Sequence, residues 1–98
     1  MPDDMLARLE AIVQERKQNP PPGSYTAQLF DEGPNKIAQK VGEEAVEVIV
    51  AALGQGRDRQ ISELADLFYH TLVLMAQLDI SLDDVQAELA RRHTPEQG

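Results

Sequence analysis

Apolar residues recur at helical spacing in four stretches of this chain, separated by turn-forming residues. Met5, Leu6, Leu9, Ile12 and Val13 make the stripe of a first helix, capped by Asp3, with Arg16 and Lys17 suited to its C-terminal dipole. It ends by Gln18, because Asn19-Pro20-Pro21-Pro22-Gly23 cannot continue a helix and reads as an extended linker. Ser24 opens a short segment to Glu32, one or two helical turns with Tyr25, Leu29 and Phe30 as its apolar contacts, and Gly33 closes it. Pro34 suits the first turn of a second main helix, which runs to about Leu53 before Gly54 and Gly56 break it. A third, capped by Asp58, extends from about Arg59 to Leu78. Ser81 and Asp84 then form a capping box for a last helix with Leu82, Val85 and Leu89 at helical spacing, ended by Arg91, Arg92 and His93. No stretch alternates as a strand and none repeats. The pattern predicts one all-α domain, a bundle of four main helices.

Two of these helices are unusual. Leu64, Ala65, Leu67, Phe68, Leu72, Val73, Leu74 and Met75 leave the third almost no polar side, so it must be covered on several sides. It is too short, and too interrupted by Asp66, His70 and Gln77, to span a membrane. A chain of 98 residues has little surface with which to bury such a helix, so the bundle is expected to be completed by dimerisation, as a homodimer or higher homo-oligomer. In the second helix, Lys36, Lys40, Glu43, Glu44 and Glu47 share an arc of about 100°, beside an apolar face of Ile37, Val41, Ala45, Val48 and Ala52. Gly42 costs that helix about 1 kcal/mol relative to Ala, which points to close approach of a neighbouring helix or a ligand.

The acids carry the candidate chemistry. Glu44 and Glu47 are spaced i, i+3, as are Glu63 and Asp66, so each pair lies on one helix face. If the second and third helices pack antiparallel with these faces together, hard oxygen ligands converge as a site for magnesium or manganese suggests. Most helical acids are simply solvated. Asp66, however, sits in Leu64-Ala65-Asp66-Leu67-Phe68-Tyr69, where an unpaired buried carboxylate would cost several kcal/mol. Glu63, Asp66 and His70 share a face; a di-iron bundle would place a His three residues after the Glu, where this chain has Asp66. His70 itself reads either as a hydrogen-bonded structural group or as a ligand contact. Lys36 and Lys40 read either as helical ion pairs of Glu43 and Glu44 or as partners of a phosphate chain whose metal-bridged oxygens face the acids. Arg91, Arg92 and His93 read equally as dipole partners or as ligand contacts. There is no Walker-type glycine loop and no Ser-His-acid spacing, so the chemistry indicated is attack by water.

Charge and composition narrow the partners. A net charge of −8 argues against nucleic acid or an anionic membrane and favours a metal-complexed ligand. With no cysteine, neither disulfides nor thiolate metal sites exist. The segment Met1 to Leu9 carries acids and lacks the continuous apolar core of a signal peptide, so the expected compartment is the cytoplasm.

Lys40-Val41-Gly42-Glu43-Glu44-Ala45-Val46-Glu47 and Glu63-Leu64-Ala65-Asp66-Leu67-Phe68-Tyr69-His70 are similar to the EExxE and ExxD motifs of the all-α nucleotide pyrophosphohydrolase superfamily. Within it, Ser24 to Phe30, the Ser81-Leu82-Asp83-Asp84-Val85 turn and Arg92-His93 resemble the phosphoribosyl-ATP pyrophosphatase family of histidine biosynthesis, over about Ser24 to His93. The resemblance implies magnesium-dependent hydrolysis of phosphoribosyl-ATP to phosphoribosyl-AMP and pyrophosphate, the second step of that pathway, by a dimeric helical bundle. It implies Glu44, Glu47, Glu63 and Asp66 as catalytic metal ligands, Glu43 as an outer-shell or additional ligand and Lys40 at the phosphates; Lys36, Glu43, His70 and Arg92 are the further candidate substrate contacts. The family's cyclohydrolase partner domain has no counterpart here, which implies the monofunctional form. The N-terminal helix and the prolines lie outside the resemblance. A house-cleaning nucleoside triphosphate hydrolase is the alternative within the superfamily. A silent helical adaptor is the alternative outside it, and has no use for four convergent acids.

Overall fold

The computed structural model describes residues 4–93, all of them in helices or in the turns between. In chain order the helices are α1 (Met5–Gln18), α2 (Tyr25–Glu32), α3 (Pro34–Ala52), α4 (Arg57–Gln77) and α5 (Leu82–Arg92). The expected all-α class is therefore observed, the short Ser24–Glu32 segment being a fifth helix of two turns.

Most helix ends follow the sequence. Ser24 accepts from the Ala27 amide, Pro34 occupies the first turn of α3, and Ser81 and Asp84 form the complete capping box of α5. Two caps differ. Asp3 lies outside the described residues, and it is Asp4 whose carboxylate accepts from the Ala7 amide at the start of α1. On α4 the cap is Gly56, at φ +88°, and Asp58 lies in the first turn. A glycine reaches that backbone conformation without Cβ strain, so the chain turns into α4 two residues early, and Asp58 meets the helix dipole instead of capping it.

The core lies where α1, α2 and α3 close on α4. Val13, Leu29, Ile37, Val73 and Ala76 are buried together, with Leu9, Phe30, Tyr69 and Leu74 packed around them. On α3 the inner positions include Ile37 and Ala51, whereas Ala52, expected on that face, is exposed. At the far end the Lys17 ammonium donates to the Ala76 carbonyl at 2.7 Å and pairs with Asp79 at 3.3 Å, tying the end of α1 to the end of α4. No described helix is long and apolar enough to cross a membrane.

Much apolar surface stays uncovered. Val46, Ile49, Val50 and Leu53 form an exposed stripe on α3, and Ile61, Leu64 and Phe68 form another on α4. By helical periodicity of about 100° per residue, Gly42 lies on the α3 stripe. A Cβ built at Gly42 meets nothing within 4 Å, so no neighbouring helix within the described chain approaches it as its presence in the helix suggested.

Candidate active site

The turn from Leu53 to Gly56 folds α3 back along α4 as an antiparallel hairpin, and the Gln60 side-chain amide donates to the Ala51 carbonyl beside it at 3.1 Å. Two turns up the hairpin this register sets Glu44 opposite Glu63 and Asp66. One carboxylate oxygen of each lies within 4.8 Å of the other two. Glu63 is only 5 % exposed, Glu44 is half-buried and Asp66 is open to solvent. Glu47 is exposed and outside this group. The i, i+3 step places Glu47 one turn along α3 from Glu44 and about 60° round the helix.

Two cations reach the acids. The Arg59 guanidinium donates to Glu63 at 2.5 Å, and the Lys40 ammonium lies 3.4 Å from Glu43 and 4.0 Å from Glu44. Burial acts to lower the Lys40 pKa, but Tyr25, the hydrogen bond to Glu43 and the charges of Glu43 and Glu44 outweigh it and hold it above the ordinary lysine value. Glu43 is shifted the opposite way: a hydrogen bond from Gln39, then Lys40 and the charge of Lys36, hold its carboxyl below the usual range. Its folded pKa being depressed, any stability Glu43 contributes is present at neutral pH and lost as acid protonates it.

His70 is buried on the inner side of this hairpin, and both its ring nitrogens are engaged. Nδ1 lies 2.8 Å from the Asp66 carbonyl oxygen and Nε2 lies 3.1 Å from the Tyr25 hydroxyl. The Tyr69 ring meets His70 edge-on at 4.9 Å, and the Tyr69 hydroxyl is hydrogen-bonded to Thr26. Burial pushes the Tyr69 hydroxyl above its ordinary pKa. Arg92 lies on α5, where its guanidinium and that of Arg91 share Glu88 at 2.8 and 2.5 Å; it is not brought to the acids.

The sequence reading thus missed two residues at the site. Arg59 was legible from its i, i+4 spacing to Glu63. Tyr25, read as an apolar contact and as part of the family-like Ser24 to Phe30 segment, gave no spacing signal for its bond to His70, because that partner lies 45 positions away on another helix.

The donor set suits a hard divalent cation. Glu44, Glu63 and Asp66 offer only carboxylate oxygens, and the two cations beside them, one shared with Glu43, leave the group net negative. Of the three, Glu63 alone is buried, and a buried carboxylate is stabilised by a nearby positive charge.

Comparison with known proteins agrees with this chemistry. The phosphoribosyl-ATP pyrophosphohydrolase family profile matches residues 6–93. The chain is 55% identical over 89 residues to a phosphoribosyl-ATP pyrophosphatase of Metallosphaera sedula, covering 91% of this chain and 96% of that one. It is 52% identical to another from Pyrobaculum aerophilum, covering 90% of this chain and 94% of that protein. A histidine biosynthesis bifunctional protein of Oceanobacillus iheyensis is 43% identical over 96% of this chain, which spans 44% of that longer protein. A profile match that takes in all five helices, with relatives aligned nearly end to end, places the chain in the phosphoribosyl-ATP pyrophosphohydrolase family.

Proposed function

We propose that the protein hydrolyses phosphoribosyl-ATP to phosphoribosyl-AMP and pyrophosphate, in histidine biosynthesis, at the acids between α3 and α4. The observation that carries this reading is the convergence of Glu44, Glu63 and Asp66 beside Lys40, in a chain so closely related to pyrophosphatases of that name. Glu44, Glu63 and Asp66 would hold magnesium, or manganese in its place, with Glu47, one turn further along α3, as the fourth ligand. Bound there, the cation supplies charge neutralisation for the phosphate chain and acidifies the attacking water. Lys40 takes the outer phosphate oxygens, and Lys36 and Glu43 tune its charge from the same face of α3. Arg59 fixes Glu63 so that its carboxylate is presented rather than free to rotate. The compartment of this activity is the cytoplasm.

A substrate panel tests the reaction. With magnesium, pyrophosphate release is expected from phosphoribosyl-ATP well above that from ATP, dUTP and dCTP, and chelator should abolish it. Faster hydrolysis of dUTP or dCTP would instead identify a house-cleaning triphosphatase.

The same reading includes a homodimer, supported by the two uncovered apolar stripes and by the open space at Gly42. Stripes of this size on a small chain are costly to leave in water. Sedimentation at micromolar concentration is expected to give twice the chain mass, and Phe68→Asp should shift it towards monomer. A monomeric parent protein would show that these faces serve something else.

A further inference from the structure

Glu63 is the deepest of the three acids, and among the described residues the one cation within ion-pair distance of it is Arg59, at 2.5 Å. The helix itself does not favour the pair. Arg59 is the third residue of α4, where a cation faces the positive end of the dipole, and it precedes its acid by four residues, the weaker order for a helical ion pair. What holds the guanidinium there is the charge of Glu63, which burial leaves short of water. The two partners are unequally free: the Arg59 side chain is 57 % exposed and that of Glu63 7 %. Arg59 can therefore return to water at little cost, whereas Glu63 would be left buried, with a carboxylate oxygen of Glu44 and one of Asp66 within 4.8 Å. Lys40 pairs with Glu43 and Glu44 and does not take over Glu63. Arg59 is thus free to leave only when another cation takes its place.

We propose that Arg59 is a positioning residue that keeps the place of the divalent cation: in the metal-free protein its guanidinium balances Glu63 and holds that carboxylate beside Glu44 and Asp66, and metal binding exchanges it into solvent. The inference rests on the reading that these acids hold a divalent cation, and it deepens that reading. A guanidinium does not shed its charge by deprotonation, so it opposes the metal until it is displaced. Removing the charge should tighten metal binding, whereas removing a mere brace of Glu63 should weaken it.

The full-length chain, freed of metal, tests this with Mn²⁺ and Mg²⁺. Arg59→Gln removes the charge and keeps a side chain of good helix propensity. Its Mn²⁺ affinity, read from the electron paramagnetic resonance of free Mn²⁺, should rise about 3- to 10-fold over the parent's, between the worth of an exposed and of a buried ion pair. Its metal-free melting temperature should fall, and saturating Mn²⁺ should raise it by more than it raises the parent's. Arg59→Lys, which keeps the charge, should bind Mn²⁺ within twofold of the parent. In the parent, nitrogen-15 NMR should show the Arg59 side-chain N–H groups protected from solvent exchange without metal and open to it at saturating Mg²⁺. Unchanged or weaker Mn²⁺ binding by Arg59→Gln, equal tightening in Arg59→Lys, or Arg59 signals indifferent to Mg²⁺ would each overturn the proposal. If Arg59→Gln does not fold without metal, the NMR measurement on the parent decides alone. Failure of the underlying reading is distinguishable, because it shows in the parent protein as absence of Mn²⁺ binding.

Discussion

Asp66→Asn is expected to lower phosphoribosyl-ATP hydrolysis by roughly a thousandfold or more, about 4 kcal/mol of transition-state stabilisation, while leaving helicity and thermal stability nearly unchanged. Asp66 is solvent-exposed, and the substitution preserves side-chain size, so the fold loses little. What it removes is the negative charge of one of three carboxylates with oxygens within 4.8 Å of one another, a charge that a divalent cation needs. Mn²⁺ affinity should fall in parallel. Glu63→Gln should have an effect of the same order, since Glu63 is the most buried of the three and its partner Arg59 would then face a neutral amide. Glu47→Gln should cost less, because its carboxylate starts outside the group. Turnover above a tenth of the parent's in Asp66→Asn would remove this aspartate from the site.

For Lys40→Ala the expected result is a fall of roughly 10- to 1000-fold in kcat/KM, about 1.4 to 4 kcal/mol. The competing account is that Lys40 only pairs with Glu43 and Glu44. Those separations, 3.4 and 4.0 Å, are loose for ion pairs, and such pairs at the surface contribute a few tenths of a kcal/mol. Stability should therefore scarcely change in either case, and kinetics alone separates the two. Lys36→Ala, one turn farther along α3, should show a smaller loss of the same kind. A kcat/KM within threefold of the parent for Lys40→Ala would leave Lys40 as an ion-pair partner and nothing more.

What the sequence made legible was local. Pro34, Ser24 and the Ser81–Asp84 box act on their own few residues, and each begins a helix where its chemistry requires. Gly56 displaced Asp58 as a cap because two adjacent signals competed and backbone freedom decided. Spacing likewise gave the faces of Glu44, Glu63 and Asp66. It could not say that Glu47 lies outside that group, because this depends on how far α3 is rotated against α4. His70 had two readings in the sequence and acquires two hydrogen bonds in the fold, one within its own helix turn and one to α2. Only the first is encoded by proximity along the chain.

Helix α5 has a separate consequence. None of its residues is buried, its capping box and its Glu88 ion pairs are internal, and the Leu82 amide reaches the Glu10 carboxylate of α1 at 2.7 Å. Opening α5 therefore exposes almost none of the packed interior that holds α1 to α4. Its amides should exchange hydrogen for deuterium through a local event whose free energy is well below that of global unfolding. Leu82, Val85 and Leu89 line an open apolar groove with Leu6 of α1 and Phe68 and Met75 of α4, so any second surface seated in that groove would register first as slower exchange in α5.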